Sequence, residues 1–374
     1  MTSALPSTAH LAMADTNLTD QEIQAAVTVL RSGALRQGRE CDAFEHEFAA
    51  RVRARHAVSS ANGSAALHLA YMTFLQPGDE VLVPSFTFFA TGSMVTAAGG
   101  RPVFCDVHPE TFLLDLEDAA RKLTPRTRAI SPVHLFGNPC DLEAVQAFAA
   151  QHRLKIVWDA AQAHGARWHG RDIGASGDFV AYSFYPTKNL FVGEGGMTCT
   201  GNEELAHRLR ILRTHGQTGK YLHTMLGLNY RMTDVEGAIG RCQLQRLDAM
   251  LAARRRNADI LSRVLTSLPG LHLQRILPGG EHAWHQFCFW IDARMFGCDR
   301  NRLAQKLAAA GIASGVHYPR GLHQQPIFRE LYGEHSLPVT ENLAEKILAV
   351  PVHHGLPAEG AGRIAKAIAA ARLK

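Results

Sequence analysis

One lysine stands between a strand-like segment and a glycine-rich turn in the stretch AYSFYPTKNLFVGEGG, residues 181–196. Lys188 follows Ser183 by five positions, and the glycines of GEGG come shortly after it. A lysine amine becomes a nucleophile when burial or a nearby positive charge lowers its pKa. Because a single lysine after a strand is usually a surface residue, the residues that accompany Lys188 decide between these two interpretations.

Three other segments place polar or aromatic residues where a strand is expected to end. SSANGSAALHLA leads from a strand through a tight turn at Gly63 to Ser64, which opens a helix. VPSFTFFAT ends a strand with aromatic residues that include Phe88. VWDAAQAHGA ends a strand in Asp159, with Gln162 one helical turn later. Each has an ordinary alternative, since Ser64 and Asp159 could cap helices without a ligand and Phe88 could be a core residue.

Taken together, these residues match what a pyridoxal 5'-phosphate site requires. A lysine must bond to the aldehyde of this cofactor, and a carboxylate must keep its pyridine nitrogen protonated. Hydroxyls and the free N–H groups of a helix start bind the phosphate, and a flat aromatic side chain covers the ring. The small GEGG turn lets the backbone pass close to the cofactor. The ordered set of strand ends supports this interpretation more strongly than any single residue does.

The elements that must position these residues alternate between short apolar strands and helices. Strands are predicted at 56–60, 80–84, 101–107, 128–135, 155–160, 178–184 and 196–200, and helices between them at 64–75, 89–99 and 141–153. Such alternation is typical of α/β proteins in which helices cover both faces of a mainly parallel sheet, a three-layer sandwich. Ligands of such sheets bind at the carboxyl ends of the strands, where the polar groups described above are expected.

The pattern changes in the last third of the chain. A long helical segment at 241–265 leads to a strand-like segment at 283–293 and to a helix at 300–311 that ends in glycine. We therefore predict a large cofactor-binding domain over 1–245 and a smaller C-terminal α+β domain over 246–374.

Composition and charge argue against several other classes of protein. The chain has 374 residues and a formal net charge of +5, with lysine and arginine scattered except in AARRRN at 252–257. Nucleic-acid binding is therefore not expected. The 20 histidines show no zinc-ligand spacing, so no metal site is expected.

The cysteines and the apolar segments bear on location. Seven cysteines without a CxxC motif are typical of free thiols in a reducing compartment, so we expect a cytoplasmic protein. Residues 1–22 lack the pattern of a signal peptide. The most apolar window, at 81–100, contains proline, serine, threonine and glycine throughout, which favours a buried strand and helix over a membrane span.

The motifs resemble those of the DegT/StrS-type sugar aminotransferases, pyridoxal phosphate enzymes of the aspartate aminotransferase fold, fold type I. The stretches that carry the resemblance are NGSAALHLA, VPSFTFFATGSMVTAAGGRPVFCDV, VWDAAQAHGA, SFYPTKNLFVGEGGM, LNYRMTDVEGAIGRCQL and HYPRGLHQQPIF. The similarity extends from RQGRECDAFEHEFA to VPVHHGLP, which is almost the whole chain.

This resemblance implies a role for each matching residue. Lys188 would bond covalently to the cofactor and then carry the proton, and Asp159 would pair with the pyridine nitrogen. The other implied cofactor contacts are Gln162 at the ring hydroxyl, Phe88 stacked on the ring, and Gly63, Ser64 and Ser183 at the phosphate.

The resemblance also implies partners. Asn229, in LNYRM, would reach the cofactor phosphate of a second subunit, so the protein would be a homodimer with shared active sites. The segment GVHYPRGLHQQPIF at 315–328 would lie near the substrate, with His317 and Tyr318 as contacts. The expected substrates are a nucleotide-linked sugar and glutamate as the amino donor.

The predicted function is transfer of an amino group from glutamate to a keto group of a nucleotide-linked deoxysugar, in deoxyamino sugar biosynthesis for a polysaccharide or an antibiotic. Two alternatives stay open. One is another pyridoxal phosphate reaction on the same fold, such as amination of a cyclitol ketone or a lyase reaction. The other is a non-catalytic regulatory protein, which Lys188 together with Asp159 disfavours. The sequence does not determine the sugar, the carbon that is aminated or the nucleotide.

Overall fold

The computed structural model describes residues 10–372. Residues 1–9, which belong to the segment where no signal peptide is expected, lie outside the described residues, as do residues 373–374 at the end of the predicted C-terminal domain. The helices are α1 (Asp20–Ser32), α2 (Arg39–Val52), α3 (Gly63–Met72), α4 (Phe89–Ala97), α5 (Leu116–Arg121), α6 (Leu142–His152), α7 (Glu203–Arg213), α8 (Asp234–Leu265), α9 (Ala293–Phe296), α10 (Arg300–Ala309), α11 (Pro326–Tyr332), α12 (Pro338–Lys346) and α13 (Gly360–Ala371).

The strands are β1 (His56–Ser60), β2 (Glu80–Pro84), β3 (Arg101–Cys105), β4 (Thr127–Ile130), β5 (Lys155–Asp159), β6 (Arg167–Trp168), β7 (Arg171–Asp172), β8 (Phe179–Ser183), β9 (Gly196–Thr200), β10 (Gln217–Gly219), β11 (Leu222–His223), β12 (Leu271–Leu273), β13 (Gly280–Glu281), β14 (Phe287–Ile291) and β15 (Ile347–Val350). Short 3-10 turns lie at Leu135–Gly137, Ile173–Ala175 and Leu322–Gln324.

The large sheet has seven strands in the order β1-β9-β8-β5-β4-β2-β3. All its neighbours pair in parallel except β9, which runs antiparallel to both β1 and β8. The seven strands predicted between residues 56 and 200 each overlap one of these strands, although β4 begins one residue before its predicted start. Helices pack on the sheet, so the mainly parallel α/β fold is confirmed. The strand expected at 128–135 was predicted too long, because Pro132 just beyond β4 has no N–H to donate to a neighbouring strand.

The segments that follow β1 and β5 differ from the prediction. Helix α3 begins at Gly63, one residue earlier than expected, because the side chain of Asn62 caps it by accepting a hydrogen bond from the Ala65 N–H (2.9 Å). Gln162 was expected one helical turn after Asp159, but this placement is wrong, since residues 161–165 form two successive turns. Gly165 in this segment has a φ of +80°, a left-handed conformation that interrupts a helix.

The C-terminal part of the chain builds a smaller antiparallel sheet, with β14 between β12 and β15. Its core joins this sheet to α10, α13 and the end of α8. Helix α8 runs unbroken through the predicted domain boundary at 245/246. Leu11 also pairs with the smaller unit, since its N–H donates to Gly311 and its carbonyl accepts from Ala313 (2.9 Å each). The division into 1–245 and 246–374 stays a prediction.

Two global features of the described chain concern membranes and thiols. Among residues 10–372, none of the helices combines the length and the apolar character needed to cross a membrane. The seven cysteines are free thiols, and all of them are buried except Cys242, which is partly exposed.

Candidate active site

A cavity of about 750 Å³ opens where β5 and β8 end, between the large sheet and the smaller C-terminal unit. All but one of the predicted site residues line it: Gly63, Ser64, Phe88, Asp159, Gln162, Ser183, Lys188, His317 and Tyr318. Sequence segments more than 250 residues apart therefore meet in one cavity, as expected for ligand sites at the carboxyl ends of parallel strands.

Lys188 lies in the turn that follows β8, where its N–H donates to the Tyr185 carbonyl (2.9 Å). Its side chain is partly buried and lines the cavity. Desolvation lowers the pKa of the Lys188 amine to about 8, against the opposing attraction of Asp159. At neutral pH roughly a tenth of such an amine is neutral, compared with less than about a thousandth for an ordinary lysine. This lowered pKa suits Lys188 to act as a nucleophile and a base.

Asp159, the last residue of β5, is buried in the floor of the cavity. Its Oδ2 accepts a hydrogen bond from the Thr91 hydroxyl (2.7 Å), and its Oδ1 accepts one from the Ala161 N–H (3.1 Å). Burial raises the pKa of Asp159, while these hydrogen bonds and Lys188 oppose the rise. Within residues 10–372 the carboxylate has no ion-pair partner. A cation placed beside it would relieve its desolvation.

The start of α3 and the end of β8 form a cradle of backbone and hydroxyl groups. A Cβ atom added to Gly63 would lie 2.5 Å from the Ser183 Cβ, so a side chain has no room there. The Ser64 hydroxyl makes no hydrogen bond within the described chain, because Asn62 supplies the helix cap. The free N–H groups of the helix start and the hydroxyls of Ser64 and Ser183 suit a phosphate.

The last glycine of the GEGG turn is required by packing. A Cβ atom added to Gly196 would lie 2.2 Å from the Asn62 carbonyl oxygen. This glycine therefore lets β9 approach the cap of α3. In the same turn, the side chain of Glu194 is exposed and lines the cavity.

Gln162 links the cavity floor to the C-terminal segment. Its Oε1 accepts a hydrogen bond from the Phe136 N–H (2.7 Å), and its Nε2 donates one to the Tyr318 hydroxyl (2.9 Å). The Tyr318 ring lies 6.2 Å from that of Phe88, which is 55% exposed and is therefore not a core residue. His317, beside Tyr318, has its pKa lowered by burial and by Lys188.

Several cavity residues were missed by the sequence analysis. His285 is buried, its Nδ1 has no hydrogen-bond partner in the described chain, and burial holds its pKa well below the usual range. Gln286 beside it and Met13 near the N-terminus also line the cavity. Thr91, which bonds to Asp159 and does not itself line the cavity, could have been found, because it lies one helical turn after Phe88.

Asn229 is the predicted site residue that the structure does not bring to the cavity of its own chain. Its backbone pairs with that of Thr214, and the residue is exposed. Its role toward a second subunit stays a prediction.

The arrangement fits the cofactor expected from the sequence. Among residues 10–372 the buried carboxylate of Asp159 has no ion-pair partner, Lys188 offers an amine of lowered pKa, and the start of α3 offers unused N–H and hydroxyl groups. Phe88 presents an exposed aromatic face at the mouth. Asp159 suits a protonated pyridine nitrogen, and Lys188 suits an aldehyde. The start of α3 suits a phosphate, and Phe88 suits an aromatic ring.

Comparison with known proteins gives a consistent result. The model of the DegT/DnrJ/EryC1/StrS aminotransferase family matches residues 16–369. The dTDP-3-amino-3,4,6-trideoxy-alpha-D-glucose transaminase of Streptomyces venezuelae is 40% identical over 351 residues, which cover 93% of this chain and 91% of that protein. A pleiotropic regulatory protein of Geobacillus stearothermophilus is 38% identical over 336 residues, covering 88% and 89%.

Solved structures show the same similarity in three dimensions. The crystal structure of DesV from S. venezuelae, in complex with a ketimine intermediate, matches this chain with a TM-score of 0.93 and 38% identity. The match covers 98% of this chain and 100% of that one.

Proposed function

Because the chain belongs to the DegT/DnrJ/EryC1/StrS aminotransferase family, we propose that it is a pyridoxal-phosphate-dependent enzyme that transfers an amino group to a keto group of a nucleotide-linked deoxysugar. One observation carries the proposal. Lys188 and Asp159 line the same cavity, at and just beyond the ends of neighbouring strands, with the lysine pKa lowered and the carboxylate without an ion-pair partner among residues 10–372. Those are the two groups that transamination requires.

When bound, pyridoxal phosphate supplies an aldehyde that captures amines and a ring that accepts electrons from the substrate carbon. Asp159 would accept a hydrogen bond from the ring nitrogen and keep it protonated. The start of α3, with Ser64 and Ser183, would bind the phosphate. Lys188 would hold the aldehyde carbon, and its Nζ would accept a proton from the substrate carbon and return it.

The outer part of the cavity suits the sugar substrate. His317 and Tyr318 line the cavity, and they combine apolar surface with hydrogen-bonding groups. The dTDP-linked amino sugar in the name of the Streptomyces relative supports a nucleotide-linked substrate for this chain. As in other ligand pockets, most of the lining is apolar and a few polar groups set orientation.

Glutamate is the amino donor in this proposal. Donor and acceptor use one site in turn, since the amino group must wait on the enzyme between the two half-reactions. The non-catalytic regulatory alternative is not supported, because the lysine, the carboxylate and the phosphate cradle are all in place.

The active sites are proposed to be shared between the subunits of a homodimer. Asn229 is exposed and lies outside its own cavity, which leaves it free to reach another subunit. Nearby, Tyr221, Leu222 and Leu226 are exposed by 84%, 59% and 93%, an apolar surface that a partner would cover. Closed two-fold symmetry would create two such sites at once.

Complementation tests the shared site. A Lys188→Ala chain is mixed with an Asn229→Ala chain, and exchange of subunits is verified by mass spectrometry of differently tagged chains. In the mixed dimer one site carries both changes and the other carries neither, so activity should return in up to half of the sites. Verified exchange without recovered activity would place Asn229 outside the partner's site.

The activity itself is tested by incubating the holoenzyme with glutamate and a set of 3-keto and 4-keto nucleotide sugars, both dTDP-linked and UDP-linked. Mass spectrometry should find a product in which the keto oxygen is replaced by an amine. If glutamate reacts with the bound cofactor but no nucleotide sugar is aminated, the proposed acceptor is wrong. If no amino donor reacts, the proposed chemistry is wrong.

A further inference from the structure

The cavity segment that carries His317 and Tyr318 is tied to the large sheet by a buried chain of hydrogen bonds. We propose that His323 is a positioning residue: through Ser85 and Glu341 it fixes the wall of the site that receives the sugar. The inference rests on the proposed function, because it assigns the outer wall to the nucleotide-sugar substrate.

The contacts run through both ring nitrogens of His323. Its Nδ1 lies 2.6 Å from the Ser85 Oγ, and its Nε2 lies 3.1 Å from the Glu341 Oε1. Two backbone bonds add to them: the His323 N–H donates to the Ser85 Oγ (3.2 Å), and the Leu322 N–H donates to the Ser85 carbonyl (2.7 Å). Ser85 is 0% and His323 1% exposed, so water does not compete for the bonds between these two residues, whereas the Glu341 side chain is 35% exposed.

The proton positions follow from the partners. An ionised Glu341 can only accept, so His323 donates from Nε2 and Nδ1 carries the lone pair. Ser85 then donates its hydroxyl proton to Nδ1 and accepts the His323 N–H. The Glu341 Oε1 also accepts a hydrogen bond from the Leu337 N–H (2.9 Å), so it receives two donors. Burial lowers the pKa of His323, which agrees with a neutral ring.

These hydrogen bonds connect two walls of the cavity that belong to different secondary-structure elements. Ser85 follows β2 directly and leads into Thr87 and Phe88, which line the cavity. On the other wall, His323 follows Tyr318 by five residues. The centroid of the Tyr318 ring lies 6.3 Å from that of the Phe86 ring and 6.2 Å from that of the Phe88 ring. His323 is not itself a lining residue, so it acts through the residues it holds.

The fit around His323 leaves little freedom. A Cβ atom added to Gly321 would lie 2.8 Å from the His323 ring and 2.5 Å from a Thr340 methyl group. The N–H and hydroxyl of Thr340 are in turn bound to Asp106, which follows β3 (2.8 Å each). The segment is therefore held from two strands, with His323 as the side chain that reaches the end of β2.

The test separates the two half-reactions of the holoenzyme. The variants are His323→Ala, His323→Asn, Ser85→Ala and, as a matched control, His207→Ala, whose histidine is exposed on α7. One readout is the KM for the nucleotide sugar. The other is the rate at which glutamate converts the bound cofactor in a single turnover, read by absorbance. Glutamate is small and reacts near Lys188, so it does not need the outer wall.

His323→Ala should raise the KM for the nucleotide sugar about tenfold, with the glutamate half-reaction within about twofold of the unmodified enzyme. His323→Asn, whose side-chain oxygen can still accept from Ser85, should recover part of this loss. Ser85→Ala should raise the KM about threefold to fivefold. The control should match the unmodified enzyme in both measurements.

Equal losses in the two half-reactions, or an unchanged KM in all three variants, would overturn the assignment. If His323→Ala does not fold, His323→Asn and Ser85→Ala carry the test, since each removes fewer contacts. An unmodified enzyme that aminates no nucleotide sugar would instead refute the proposed function. The unmodified enzyme is therefore assayed first.

Discussion

The two ends of the cavity are built in different ways. At the cofactor end, Asp159 and Ser183 terminate the neighbouring strands β5 and β8. The pairing of Asp159 with Ala181 fixes the register of these strands and thereby the alignment of their ends. At the substrate end, His285 and His317 lie on irregular segments that precede β14 and follow α10. Regular backbone pairing thus fixes Asp159 and Ser183, whereas side-chain contacts such as the Ser85–His323–Glu341 chain fix the groups proposed to select the substrate.

The sharpest test of this division is Lys188→Ala. It should lower kcat by more than about a thousandfold, because the cofactor end loses both its nucleophile and its base. Cofactor binding measured by dialysis should persist in weaker form, since the phosphate contacts remain. Lys366→Ala, on the exposed face of α13, is the matched control. Normal turnover in the Lys188 variant would remove this residue from the mechanism.

The next largest effect is expected from Asp159→Asn. An amide cannot hold the ring nitrogen protonated, so kcat should fall about a hundredfold, a barrier increase of about 3 kcal/mol. The KM for the nucleotide sugar should change little, because Asp159 lies at the floor and not at the outer wall. Asp259→Asn, exposed on α8, serves as the control. A loss of less than about threefold would mean that another group protonates the ring.

A pH series tests the amine directly, without turnover. The neutral form of Lys188 is the form that reacts with an aldehyde, and a pKa of about 8 makes the neutral fraction rise about thirtyfold from pH 6.5 to pH 9. The rate of covalent cofactor binding to the apoenzyme should therefore rise with pH and level off above pH 8. Trapping with borohydride and intact-mass measurement would follow it.

The comparison for that series is a small peptide with an unperturbed lysine. Its rate should keep rising up to about pH 10. An apoenzyme that behaves like the peptide would show that the cofactor end does not lower the pKa of Lys188.

The smallest effect is expected where the two ends meet, at Gln162. Gln162→Ala removes the hydrogen bond to Tyr318 and should raise the KM for the nucleotide sugar about fivefold. It should also shift the absorbance of the bound cofactor and the pH dependence of that absorbance, because the ring hydroxyl loses a partner. Gln151→Ala, exposed on α6, is the control. An unchanged spectrum across pH would count against the cofactor contact of Gln162.

The cofactor end could largely be predicted from the sequence. Strands such as β1, β2 and β9 were predicted with the bounds that the structure shows, because buried strands form short apolar runs between turn residues. Once those runs were placed, the residues at their ends had to meet at one edge of the sheet. Asp159 and Lys188 line the same cavity for this reason.

The substrate end could be predicted only in part. His285 and Met13 have no local signal, since their positions depend on contacts with elements far away in the chain. The helical turn expected between Asp159 and Gln162 does not form, because Gly165 adopts a left-handed conformation and Gln162 is bound to Phe136 and Tyr318. Local propensity does not report such tertiary contacts.

The position of β9 between β1 and β8 has a consequence for the order of assembly during synthesis. β1 pairs in the sheet with β9, which begins 136 residues after β1 ends. While the ribosome is still translating that interval, β1 has no strand to pair with, and the start of α3 has no Ser183 to face. Closing so long a loop is slow compared with joining adjacent strands. The phosphate cradle is therefore completed late, and the nascent chain must keep an apolar strand edge protected until residues 196–200 have emerged.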